Sequence, residues 1–204
     1  MKLHWSPRSP FVRKVMIAAH ELGLQDRFER VRTVVAMTTP NPALLPDNPL
    51  SKIPTLVLDD GQCLYDSLTI CEYLDDLAGG HILFPAERAA RWRVLTWHAL
   101  GNGLLDILIL WRNERDKPEQ RRTPEWLAAF ALKTERSLDQ MEALAADLHS
   151  APFGIGHIAI GCCLSYLDFR FGQLDWRAGR PGLVAWHDGF RARPSAIATE
   201  VVDG

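Results

Sequence analysis

The chain lacks the features that would commit it to a disulfide framework, a metal, a nucleic acid or a membrane. Its 4 cysteines, Cys63, Cys71, Cys162 and Cys163, show no CxxC spacing. They form no ligand pattern with the 7 histidines, so no metal is expected. Disulfide scaffolds belong to small secreted chains with too few core residues, whereas 47% of this chain of 204 residues is hydrophobic. The vicinal pair Cys162-Cys163 sits in an apolar helical stretch and is expected to be buried thiols. A basic excess is missing: 23 Lys and Arg stand against 25 Asp and Glu, which argues against a nucleic-acid surface. No uninterrupted apolar run approaches the roughly 18 residues of a membrane span. The first residues, Met1 to Arg8, lack the apolar core of a signal peptide, and the expectation is a cytoplasmic chain.

What is present changes character near residue 80. Lys2–Trp5 reads as a short strand. From Pro10, the apolar residues Val12, Val15, Met16, Ala19 and Leu22 follow helical spacing, and Gly23 supplies a stop. Phe28–Val35 alternates and is rich in β-branched residues, so it reads as a second strand parallel to the first. A proline-rich stretch, Thr38–Pro49, is a loop with at most one short helix. Thr55–Leu58 and Gln62–Tyr65 form a hairpin around Asp59-Asp60-Gly61. Ser67 then opens a helix, giving the order β-α-β-loop-β-β-α over residues 1–79, an α/β unit with a four-stranded mixed sheet. Residues 80–85 are a linker, and residues 86–204 read as an all-helical part. Its expected helices are Glu87–Arg115, one from Pro124 to about His149 with Thr123 as N-cap, Ile158–Phe171, and Pro181–Arg193 with Pro194 ending it.

Three segments of the first part can carry chemistry. Ser9-Pro10 is a capping signal, with Ser9 as N-cap and proline at the first helical position. The same loop could aim a hydroxyl and unpaired N–H groups at a bound anion. In Asn48-Pro49-Leu50-Ser51-Lys52-Ile53-Pro54-Thr55, Pro54 precedes a strand and cannot donate to a ladder. A cis bond there would turn the preceding backbone outward as an edge for a peptide. Asp66-Ser67 stands at a helix start. Ser67 is most simply an N-cap, yet an acid beside a helix N-terminus also suits the ammonium and carboxylate of an α-amino acid.

Taken together, Ser-Pro-Phe-Val-Arg-Lys-Val from Ser9, Asn-Pro-Leu-Ser-Lys-Ile-Pro from Asn48 and Asp66-Ser67 resemble the glutathione site of cytosolic glutathione transferases. Arg112-Asn113-Glu114-Arg115 and Tyr166-Leu167-Asp168-Phe169-Arg170 resemble bacterial members. The resemblance implies a thioredoxin-like domain followed by a helical bundle, glutathione as co-substrate and a homodimer. It implies that Ser9 bonds the glutathione sulfur and that Ile53 pairs with the cysteinyl backbone beside a cis Pro54. Asp66 and Ser67 would hold the γ-glutamyl head, and Lys52 would lie near the glycine carboxylate. A free thiol has a pKa near 8.5, and a hydrogen bond to its charged form lowers it. Ser9 would thereby supply a thiolate for attack on an apolar electrophile.

Some family features are missing. No tyrosine precedes Tyr65, which excludes a tyrosine-type mechanism at the first strand, and no cysteine stands near position 9. Ser6 is a rival for Ser9 outside the Ser-Pro-Phe-x-x-Arg context. The Ser/Thr-x-x-Asp box that usually caps the central helix is here Gly154-Ile155-Gly156-His157, and His157 is not expected to replace the carboxylate. The electrophile pocket is expected against the long helix, where Leu104, Leu108, Trp111 and Arg115 share a face, with Tyr166 on the central helix. Competing readings are a non-catalytic binder of glutathione or apolar ligands, and a glutathione-dependent peroxidase or reductase.

Overall fold

The computed structural model describes residues 1–203, which divide into two compact units. The first comprises Met1–Arg91 and the chain from Pro194 onward; the second is Trp92–Arg193.

The first unit holds β1 (Lys2–Trp5), α1 (Pro10–Glu21), β2 (Glu29–Arg32), β3 (Thr55–Val57), β4 (Cys63–Leu64) and α2 (Ser67–Leu77). The sheet order is β2-β1-β3-β4, with β1 parallel to β2 and antiparallel to β3, and β3 antiparallel to β4. Strand β2 is shorter than its alternation suggests. It lies at the sheet edge, its side chains are largely exposed, and the chain leaves the ladder after Thr33 bonds Trp5, so Val34 is exposed. Helix α1 packs against α2, with Val15, Ile17, Ile70, Cys71 and Leu74 buried along with Leu3 and Leu56 of the sheet. The proline-rich loop forms turns without a helix and is anchored by Asp47. That carboxylate accepts from Lys2 at 2.8 Å and meets His4 Nε2 at 2.8 Å, while His4 Nδ1 reaches Thr33 Oγ1 at 2.9 Å. The hydrogen bonds from Lys2 and then His4 hold the Asp47 carboxyl below its ordinary range. Buried Asp75 accepts the N–H groups of Ile82 and Leu83, fixing the segment after α2.

The helical part holds α3 (Arg88–Arg115), α4 (Pro124–Ala143), α5 (Ala145–Ser150), α6 (Ile155–Arg170) and α7 (Pro181–Arg191). By length and composition α3 could cross a bilayer, a property that a search for uninterrupted apolar runs misses. Val94, Trp97, Leu104, Leu105 and Leu108 of α3 are buried in the protein. Gly101 lets α3 lie against α6, since a Cβ there would stand 2.7 Å from the Ala159 carbonyl carbon. Helix α6 is buried from Ile155 through Leu164, Cys162 and Cys163 included, and neither forms a disulfide.

Several sequence expectations need correction here. The helix expected to reach His149 breaks at Leu144 into α4 and α5. Thr123 stands at the N-cap position of α4 but makes no side-chain cap; its N–H goes to Glu114 Oε1 at 2.8 Å. Pro194 does more than end a helix: it opens α8 (Pro194–Ala198), as a proline at a first helical position can. This last segment packs on α1, through Arg13 to the Ala196 carbonyl at 3.2 Å and Ser195 to Glu21, and so groups with the first unit. His157 does replace the missing carboxylate. Its Nδ1 accepts the Gly154 N–H at 3.1 Å, and Nε2 lies 3.2 Å from the Leu148 carbonyl. Glycine brings no side chain, so this is half of a capping box.

Candidate glutathione site

Sheet register brings the three segments to one end of the sheet. β1 finishes at Trp5, and its neighbour His4 pairs with Thr55, the first residue of β3; Leu56 in turn pairs with Leu64, the last residue of β4. The β1–α1 loop, the turn before β3 and the start of α2 therefore emerge together. Both helix N-termini, with their partial positive charge, lie at that end.

Ser9 is the N-cap of α1, with φ −85 and ψ 118. Its Oγ accepts the Val12 N–H at 3.3 Å. A hydroxyl has two acceptor lone pairs and one proton, so the cap leaves the proton available for a further acceptor. Pro10 has no N–H, and that of Phe11 has no partner among the described residues. Ser6, the rival serine, turns its hydroxyl toward the Arg8 N–H at 3.4 Å, within its own loop.

The Ile53–Pro54 bond is cis. Neither the N–H nor the carbonyl of Ile53 has a partner among the described residues, which leaves a short backbone edge for an extended ligand. Lys52 is exposed and without an ion-pair partner among the described residues. Sequence reasoning missed Asn48, which builds this turn from within. Buried Asn48 donates from Nδ2 to the Lys52 carbonyl at 3.0 Å and to Thr55 Oγ1 at 2.9 Å, and its Oδ1 accepts the Leu50 N–H at 3.0 Å. The Asn-Pro pair was the available signal, because asparagine bonding its own backbone two residues on is a turn device.

At α2 the structure reverses the simplest reading. Asp66 is the N-cap, accepting the Leu68 N–H at 3.0 Å, and Ser67 is the first helical residue. Ser67 is 1% exposed, and its Oγ has no hydrogen-bond partner among the described residues. An unpaired buried hydroxyl costs about 1–3 kcal/mol, and this one keeps its capacity for a further hydrogen bond.

The five electrophile candidates lie in the helical unit. Leu104, Leu108 and Tyr166 are interior and offer no surface to a ligand. The Tyr166 hydroxyl accepts from Arg112 at 3.1 Å, and burial pushes its pKa up. Trp111 and Arg115 keep accessible surface, with Arg115 4.7 Å over the Phe171 ring. Beside Ser9 in the first unit is a cavity of about 200 Å³. Another, of about 270 Å³, lies in the helical unit around His157, Trp186 and Phe190.

The chain is similar to glutathione S-transferases along most of its length. Residues 8–77 match the N-terminal domain of glutathione S-transferases and residues 124–189 the C-terminal domain. The chain is 32% identical over 202 residues, 98% of each, to the uncharacterized GST-like protein YibF of Escherichia coli K12. It is similar to a glutathione transferase family member from Pseudomonas fluorescens Pf-5 solved with bound glutathione, at TM-score 0.95 and 41% identity over 98% of both chains. That protein solved with S-(propanoic acid)-glutathione gives TM-score 0.91 and 40% identity, again over 98% of both. This chain belongs to the glutathione S-transferase family, and its fold is a thioredoxin-like domain with a helical domain.

Proposed function

We propose that the chain is a glutathione transferase in which Ser9 holds the glutathione sulfur as a thiolate for attack on an electrophile with an apolar body. The observation that carries this reading is the Ser9 hydroxyl, which caps α1 as an acceptor while its proton remains uncommitted. Glutathione bound to the Pseudomonas relative, and an S-substituted glutathione in the same protein, support both the ligand and the thioether product.

In this reading the cysteinyl backbone of glutathione pairs with the open edge at Ile53, beside Pro54. The γ-glutamyl ammonium meets Asp66, its carboxylate takes the Ser67 hydroxyl and the N-terminus of α2, and Lys52 attracts the glycine carboxylate. The thiol proton leaves to solvent, the Ser9 O–H donates to the resulting thiolate, and a sulfur lone pair forms the new bond as the electrophile's leaving group departs. The working form is a cytoplasmic homodimer.

A thiol-exchange reductase fits less well. Cys63 is the one cysteine with accessible surface among the described residues, and burial, then the Asp47 charge, pushes its thiol up, away from the thiolate such chemistry needs.

Calorimetric titration with glutathione tests the site. A hydrogen bond to a charged group contributes about 1.5–3 kcal/mol, so Ser67→Ala should weaken binding roughly ten- to hundredfold. Unchanged affinity would remove Ser67 from the γ-glutamyl subsite, and absence of binding by the native protein would overturn the reading.

A further inference from the structure

The cavity beside Ser9 contains a charge that the proposed chemistry has not used. Its wall includes Trp5, Ser6, Ser9, Arg13 and Arg30, and the C-terminal residues Ala198–Glu200 and Val202 close one side. Arg13 is 6% exposed, yet no carboxylate pairs with it among the described residues. Its Nη2 donates to the Ala196 carbonyl at 3.2 Å, and its Nε is buried without a partner among the described residues. An arginine kept only to pin α8 on α1 would be expected to have its buried N–H groups satisfied, because an unpaired buried cation is among the costliest groups in a fold. The other charges around the cavity do not fill this need. Glu200 is exposed and has no ion pair with Arg13, Arg30 lies over the Trp5 ring at 5.8 Å, and Arg8 is paired with Asp203 outside.

Resting on the transferase reading, we propose that this cavity receives the electrophile and that Arg13 binds a carboxylate at its far end. The substrate class is then a small electrophile with an apolar body and a terminal carboxylate. Ser9 and Arg13 are four residues apart, one helical turn of about 5.4–6 Å along α1. Both residues line the cavity, so a para-substituted ring can place an electrophilic carbon beside the glutathione sulfur and a carboxylate beside Arg13. A cavity of about 150 Å³ is known to hold a benzene, so one ring matches the volume here. The planar guanidinium fork suits a carboxylate, and its Nε–H is one of the donors a bidentate pair uses. With 4-(chloromethyl)benzoate the thiolate attacks the methylene carbon, the S–C bond forms, and chloride leaves with the bonding pair.

The test compares binding before turnover. In the presence of glutathione, the affinities of unreactive 4-methylbenzoate and 4-methylbenzamide are measured by titration for the native protein and for Arg13→Gln. The native protein should prefer the acid by tenfold or more, and Arg13→Gln should bring the ratio near one. Equal affinities in the native protein overturn the proposal without needing a variant, so a failure of Arg13→Gln to fold does not shield it. A preference that survives in Arg13→Gln overturns it too, as does a variant whose loss falls on glutathione affinity instead. Turnover of the chloromethyl compounds is read separately: an acid preference in binding without turnover leaves Arg13 in place and sinks the transferase reading.

Discussion

Ser9→Ala should lower kcat/KM for glutathione addition to 1-chloro-2,4-dinitrobenzene by roughly ten- to hundredfold, the equivalent of one charge-assisted hydrogen bond. The cause is an upward move of the bound thiol's pKa by about one to two units, which shrinks the thiolate fraction at neutral pH. The substitution also removes a helix cap. Ser9 Oγ accepts the Val12 N–H, and loss of such a cap costs about 1 kcal/mol of stability. Ser9→Asp separates the two effects. A carboxylate caps well and suits the helix dipole, so stability should hold, while its negative charge opposes the thiolate and activity should fall at least as far. If Ser9→Asp retained native activity, the hydroxyl would have no part in activating sulfur.

The second large effect concerns the fold. His157 is 2% exposed, and both ring nitrogens are committed: Nδ1 accepts the Gly154 N–H, and Nε2 faces the Leu148 carbonyl, which only a donor can satisfy. These partners require the neutral Nε2–H ring. Burial, against the raising effect of the Leu148 bond, lowers its pKa from 6.5 to about 4, with Arg193 pushing the same way. Between those values the unfolded chain binds the proton and the folded chain does not. Stability from this group is therefore full above about pH 6.5 and falls as pH drops toward 4. The difference corresponds to a loss on the order of 3 kcal/mol. Urea midpoints measured across that range should slope steeply for the native protein. His157→Gln retains a capping-box acceptor without a titrating ring and should lose most of the slope. An identical pH dependence in both would show that His157 does not titrate between folded and unfolded states.

Much of this was legible in the residues, and the gaps have physical reasons. β1, α1 and the hairpin were readable because alternation, helical spacing and turn glycines agree within each segment. Strand β2 reads too long in the sequence because alternation continues past the point where an edge strand loses its partner. α8 was missed because proline before a short apolar run looks like a stop, and only its packing on α1 makes it a start. The motif segments pointed to Ser9, Ile53 and Asp66-Ser67, but not to which of Asp66 and Ser67 caps α2, since both residue types are good caps. Asn48 was overlooked because its role is made of bonds to backbone that sequence does not display. By residue type His157 is no substitute for a carboxylate, yet a neutral imidazole offers the same acceptor when burial keeps it neutral. Arg13 reads as part of a motif, and nothing in its spacing reveals that it lies buried without a carboxylate partner among the described residues.

If this protein holds glutathione as a thiolate, the ultraviolet absorbance of the bound thiolate followed against pH will show it. The bound thiol should ionise about one to two units below the ordinary value near 8.5. A bound thiol titrating at its ordinary value would contradict it, and would make the protein a binder of glutathione that does not activate it.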